Sequence, residues 1–245
     1  MKKIFAILLI TVMIATVAAC GEDKAVNETP QNQETPLTNE LPEQPEVESG
    51  LEDSTEGGES GSNILVAYFS RVGNTDWEDG VDAIDSASLN IRGGEYVGNA
   101  EYLAEMAQQA TGGDLFFIET AKSYPSDYRQ TTDVAKVEQN DDARPALASH
   151  VDNMDDYDTI VLIYPNWWGT LPPPLFTFLE EYDFSGKKIL PLCTHGGSRL
   201  GSSERDISKL CPDAILLDGL AVSGSGAASA KADVEDWINN SGILR

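Results

Sequence analysis

The sequence predicts an α/β protein: a three-layer, doubly wound, five-stranded parallel sheet with helices on both faces. Three observations predict it. Five short, continuous apolar runs recur through residues 63–245, as expected of strands covered on both faces. Helix-period patterns lie between those runs, and alternation of this kind builds a parallel sheet. The stretch holds 183 residues, enough for one domain with a real core and short for two.

The first run is Ile64-Leu65-Val66-Ala67-Tyr68-Phe69 and the second is Leu115-Phe116-Phe117-Ile118. Thr159 to Tyr164 is the third. Lys188-Ile189-Leu190-Pro191-Leu192-Cys193 is the fourth, and its proline argues for an irregular strand. Ala214 to Leu217, extending towards Val222, is the fifth. Between them, Leu103, Met106, Ala107 and Ala110 fall at i, i+3, i+4 and i+7, and Gly112-Gly113 ends that helix. Pro172-Pro173-Pro174 opens a helix carrying Leu175, Phe178 and Leu179. Ser203 and Asp206 read as a capping pair ahead of Ile207, Leu210 and Cys211. Ala230, Val234, Trp237 and Ile238 mark the last helix, stopped by Gly242. A weaker helical pattern covers 127–138.

The chain ahead of this domain divides in two. Lys2 and Lys3 precede an apolar run from Ile4 to Ala19, short for a membrane span and right for a signal-peptide core. Val17-Ala18-Ala19-Cys20 resembles the bacterial lipoprotein cleavage box, in which the cysteine becomes the lipidated first residue. The resemblance implies an extracytoplasmic protein anchored to the cell membrane through lipidated Cys20. Residues 20–62 carry twelve acids and one lysine, four prolines and a Gly/Ser-rich close, so ordering them has no apolar burial to offset its entropy. They read as a disordered acidic tether, about 32–39 Å end to end as a flexible coil.

Composition excludes several classes. The net charge is −25, and −16 of it falls in 63–245. Such a surface repels the nucleic-acid backbone, so no nucleic-acid partner is expected. Three cysteines make no disulfide scaffold, and no Cys/His cluster has zinc spacing. Gly196-Gly197-Ser198-Arg199-Leu200 lacks the last glycine of a nucleophile elbow, and neither a P-loop nor a Gly-x-Gly-x-x-Gly string is present. No catalytic side chain and no metal site are assigned.

A doubly wound sheet binds its ligand at the carboxyl ends of its strands, where strand order reverses. The loops after the first, third and fourth runs therefore belong together. Ser70, Arg71, Val72, Gly73, Asn74 and Thr75 form a hydroxyl- and glycine-rich loop suited to a phosphate. Pro165, Asn166, Trp167, Trp168, Gly169 and Thr170 offer aromatic faces beside a glycine. Thr194, His195, Gly196, Gly197, Ser198 and, further on, Gly201 form a loop whose backbone can approach a flat ligand closely. Adjacent tryptophans on an extended segment point opposite ways, so one of the pair faces the ligand. A cradle, an aromatic wall and a close-approach loop on one edge describe a mononucleotide with a planar ring.

With Gly112-Gly113-Asp114-Leu115-Phe116 and Asp155-Asp156-Tyr157-Asp158, these strings make the chain resemble the flavodoxin-like family over nearly all of 63–245. The resemblance implies strand order 2-1-3-4-5, bound FMN and electron transfer. It implies that Ser70 to Thr75 hold the phosphate, that Pro165 to Gly169 flank the isoalloxazine, and that Thr194 to Gly201 line its other side. The sequence departs from that family in two places. Val72 stands where the family has threonine. Residues 76–97, carrying Asp76, Glu78, Asp79, Asp82 and Asp85, separate the loop from the first helix, whose start at Gly98-Asn99 offers its exposed N–H groups as a further phosphate contact, with Gly98 or Asn99 as cap.

Three functions follow. The protein is an FMN redox protein acting as a carrier for redox partner proteins, or as a small reductase of acceptors such as quinones. It is an NAD(P)H-dependent quinone-type reductase. Or it is a flavin-free, tethered binding module. Cys193 and Cys211 read as small apolar residues, and His150 as a solvated loop residue.

Overall fold

The computed structural model describes residues 63–244. The signal peptide, Cys20 and the tether lie outside the described residues. No described helix is long and apolar enough to cross a membrane.

Strand β1 (Ile64–Tyr68) leads into the loop at Ser70. A hairpin follows, β2 (Leu89–Arg92) against β3 (Glu95–Gly98), antiparallel and outside the main sheet. Then come α1 (Asn99–Thr111), β4 (Asp114–Phe117), α2 (Tyr128–Asn140), β5 (Thr159–Pro165), α3 (Pro173–Glu181), β6 (Lys188–His195), α4 (Ser203–Leu210), β7 (Ile215–Leu216), β8 (Leu220–Ser223) and α5 (Lys231–Ser241). The main sheet runs β4-β1-β5-β6-β7 with every pairing parallel, and β8 also pairs β6. With β7 and β8 taken as one broken strand, this is the 2-1-3-4-5 order.

The break has a local cause. β6 pairs β7 at Lys188–Ile189 and β8 at Leu192–His195. Pro191 sits at the interruption and has no N–H for the ladder. All seven residues of central β5 are buried. One apolar layer gathers Phe69, Ile160, Leu162, Tyr164, Leu175 and Phe178; the opposite one gathers Val66, Leu103, Val161, Ile163, Leu190 and Ile238. Each fully buried aliphatic or aromatic side chain contributes roughly 1.5–3 kcal/mol.

Three local readings change. The segment 76–97 contains the β2–β3 hairpin, turned by Gly93 and Gly94, both at positive φ (63° and 93°), a glycine pair that signals a tight hairpin. Ser202, not Ser203, occupies the N-cap position of α4, and its hydroxyl donates to Asp206 Oδ2 at 2.9 Å. Ser203 lies inside the turn, donating to Leu200 O and accepting from the buried Tyr164 hydroxyl. Gly98 caps α1, its N–H donating to Glu101 Oε2, but Asn99 is fully buried and its own N–H already donates to Ser88 O at 2.8 Å. The first amide of α1 is therefore not exposed.

Candidate functional site

A half-open cleft of about 460 Å³ lies at the carboxyl ends of β5 and β6. Predicted residues Asn166, Trp167, Trp168, Gly169, Gly196 and Ser198 line it. Asp85, Ser86 and Ala87 add a wall from the 76–98 segment, and Tyr128, Thr131, Thr132 and Ala135 add a stripe of α2 at i, i+3, i+4 and i+7. None of these seven belongs to the three loops predicted to hold the ligand. The α2 stripe of hydroxyls and small residues is a local signal, whereas nothing local places 85–87 over the cleft.

Trp167 and Thr170 bond each other's backbones across a tight turn. Such a primed turn needs positive φ at both central residues, and Trp168 has φ 52° and Gly169 83°. Glycine accepts this freely; for Trp168 it costs roughly 1–2 kcal/mol. The strain is held by Gly169 N–H donating to Asn166 Oδ1 at 2.9 Å and by Trp168 Nε1 donating to Thr132 O at 2.9 Å. Asn166 Nδ2 also donates to Arg199 O at 2.9 Å, tying the two cleft loops together.

The two tryptophans separate at this turn. Trp167 is buried edge-on against Phe69 and Tyr124, its Nε1 donating to Ser88 Oγ at 3.0 Å. Trp168 is 52% exposed on the cleft, with Lys136 Nζ 5.0 Å from its ring centroid. Trp168 is therefore the ring free to stack on a ligand.

The Ser70–Thr75 loop is not part of this lining, and much of its polarity is spent within the fold. Arg71 is fully buried; its guanidinium donates to Ala83 O at 2.8 Å, Pro125 O at 3.2 Å and Ser126 O at 2.6 Å. Burial lowers its pKa, and Asp85 foremost pulls it back. Asn74 Nδ2 donates to Ser70 O and Ile118 O, and its Oδ1 accepts from Thr120. Ser70 Oγ accepts from Val72 N–H. Gly73 is required: its φ is 88°, and a Cβ there would press on Phe117. Of the acids in the insertion, Asp76, Glu78, Asp79 and Asp82 are exposed; Asp85 turns in, its Oδ1 accepting from Ala87 N–H at 2.9 Å.

The other predicted residues shape the rim. Pro165 ends β5, paired with Thr194. Thr170 Oγ1 donates to Asp206 Oδ2 at 2.6 Å. His195 Nδ1 accepts from Gly197 N–H at 3.0 Å, so this loop is shaped by a neutral imidazole; burial lowers the His195 pKa, with Arg199 adding to the effect. At Gly201 a Cβ would collide with Gly169 O. Cys193 and Cys211 are free and buried, and burial pushes their thiols up to about 12 and about 11, so both remain un-ionised packing residues. His150 is exposed and pairs with Glu181 at 2.6 Å.

Among the described residues, four buried side-chain atoms have no hydrogen-bond partner: Arg71 Nε, Thr75 Oγ1, Asn99 Oδ1 and Thr194 Oγ1. All four belong to segments predicted to hold the cofactor. Buried polar atoms are almost always paired; these four lie in the loop after β1, at the start of α1 and near the end of β6, and none is among the residues that line the cleft. The exposed Trp168 face and the glycine loop that lines the same cleft fit a flat ring.

The profile of a family described as Flavodoxin matches residues 94–241. The chain belongs to the flavodoxin family. FMN is the cofactor of that family, and the residues present fit it. A candidate flavoprotein from Bacteroides eggerthii is 30% identical to this flavodoxin-family protein, with 73% of this chain and 96% of that one covered and a TM-score of 0.55. A second candidate flavoprotein, from Bacteroides uniformis, is 28% identical over 73% of this chain and 99% of the other, with a TM-score of 0.56. No curated protein matches. The profile match begins inside the hairpin, so β1, the Ser70–Thr75 loop and most of the insertion of this flavodoxin-family protein lie outside it.

Proposed function

We propose that the protein binds FMN in the 460 Å³ cleft and transfers electrons at the outer face of the membrane, as a carrier or small reductase held there by lipidated Cys20. The observation that carries the reading is the strained Trp167–Thr170 turn, which sets one indole face, that of Trp168, on the cleft that the Gly196–Ser198 loop also lines. When bound, FMN supplies the one- or two-electron chemistry. The chain supplies the rest. Trp168 gives a stacking face. Gly196 lets the β6 loop pack closely on the 85–87 wall, where a Cβ would meet Ser86 Oγ at 2.5 Å. Hydroxyls of Ser86, Thr131, Thr132 and Ser198 line the polar edge. Asp85 is the one carboxylate among the lining residues, and it disfavours added negative charge on a bound ring. Buried Trp167, Phe69 and Tyr124 close the floor to water.

The test is a titration of the full-length chain, in detergent, with FMN. Stoichiometric binding with quenched flavin fluorescence, and loss of the quench in Trp168→Ala, is the expected result; a folded chain that leaves FMN fluorescence unchanged ends the reading. Incorporation of labelled palmitate, abolished by Cys20→Ser, tests the anchor separately.

A further inference from the structure

We propose that a second cleft, behind the floor of the first, is a binding site for a small planar ring carrying ring oxygens, the quinone class. This rests on the FMN reading above, because the choice of a redox-active ring comes from the wall the two clefts share. The second cleft is about 310 Å³, within the range of small-ligand sites. Pro125, Val134, Pro145 and the Tyr124 ring give it flat apolar walls, and Lys122 and Glu138 are its charged groups. Val134 and Glu138 come from a different stripe of α2 than the residues that line the first cleft.

The shared wall is two rings thick. Tyr124 lines the second cleft and Trp167 the first, with centroids 5.1 Å apart and planes at 86°. The polar end is a built pair: the Tyr124 hydroxyl, on a residue 4% exposed, donates to Glu138 Oε2 at 2.8 Å. Only one carboxyl oxygen is used in that bond, which leaves Oε1 to accept from a ring hydroxyl. Lys122 supplies an ammonium donor for a ring carbonyl. Burial raises the Glu138 pKa, while the Tyr124 hydrogen bond and Lys122 oppose the rise. A half-buried carboxyl in a cleft, beside an aromatic wall and a cation, is an arrangement suited to exchanging a proton with a ligand. Reduction of a quinone there takes two electrons from reduced FMN across the wall. It also takes two protons from solvent, one of them by way of Glu138. Both carbonyl oxygens become hydroxyls, and the flavin's own protons leave to solvent.

Menadione is the probe, with the full-length chain in equilibrium dialysis, with and without saturating FMN. One equivalent is expected to bind in both conditions. Val134→Trp and Ala146→Phe, two exposed positions on opposite sides of the cleft, are each expected to weaken menadione at least about tenfold through overpacking while leaving FMN affinity unchanged. Wild-type menadione affinity in both folded variants, or displacement of menadione by FMN, overturns the site. Menadione binding without FMN binding would refute the flavin reading and the electron step that rests on it, leaving only a cleft that binds a planar ring. FMN binding without menadione binding would refute the second site alone.

Discussion

Gly224→Ala tests whether the 85–87 wall is part of the FMN site. Gly224 opens the 3-10 turn Gly224–Ser229 after β8 and needs no positive φ, so its constraint is purely steric. An added Cβ would lie 2.6 Å from Asn99 Nδ2 and closer still to Ser86 O, where real Cβ contacts stop near 3.0 Å. The obstacle is backbone, so the 85–87 segment must retreat. That retreat pulls against Asn99 Nδ2, which donates to Ser86 O at 3.3 Å and Ala87 O at 3.0 Å. Overpacking of this kind costs about 1–3 kcal/mol. At about 2 kcal/mol the domain should lose roughly 4–8 °C in Tm. Ser86 and Ala87 line the cleft, so about 1.4 kcal/mol appearing in binding would weaken FMN about tenfold. The control is Gly226→Ala in the same turn, whose Cβ meets nothing within 4 Å. Thermal melts and FMN fluorescence titrations of both variants decide the matter. If Gly224→Ala binds FMN as tightly as Gly226→Ala, the 85–87 wall is not part of the site.

Arg71→Met strands the buried carbonyls of Ala83 and Ser126 and is expected to cost about 3 kcal/mol or more, read from urea unfolding. Trp167→Ala should cost about 3–5 kcal/mol by opening a buried void, whereas Trp168→Ala, at an exposed ring, should cost under about 1 kcal/mol and instead weaken FMN; the same unfolding and titration measurements separate the two. For His195 the folded pKa lies below the unfolded value, so the unfolded chain takes up the proton first. Stability from this group is complete above about pH 6.5 and falls as pH drops through that value towards the folded pKa. The Tm difference between pH 8 and pH 5.5 should therefore shrink in His195→Gln. Asp85→Asn should raise the FMN reduction potential, measured by dye-equilibrated titration; an unchanged or lower potential counts against a role for this carboxylate.

Much of the architecture was legible because it is written in short-range pattern. The runs at Ile64, Leu115, Thr159 and Lys188 are apolar without alternation, since a central parallel strand is buried on both faces. Gly112 ends α1 in the left-handed conformation (φ 66°) its position suggests. Trp167 and Trp168 do part, but through the positive-φ turn at Trp168-Gly169 and not through the alternation of an extended segment. Boundaries set by a competing hydrogen bond were less legible. Ser203 gives its hydroxyl to Leu200 O and so leaves the capping position to Ser202. The Gly93-Gly94 hairpin had its signal in the sequence, but a break between loop and helix masked it.

The sequence by itself determined the succession of strands and helices, because each element depends on neighbours a few residues apart, and the alternation implied a parallel sheet whose strand order the family resemblance supplied. Only the tertiary structure decided which loops meet. Arg71 reads as a phosphate-loop cation, yet it clamps carbonyls 12 and 55 residues away. Asp85 reads as one acid of the insertion, yet it alone turns in, and Tyr124 becomes the wall between two clefts. A buried donor takes whichever acceptor the packed chain brings within 3 Å, and that choice belongs to the closed core rather than to the local run of residues.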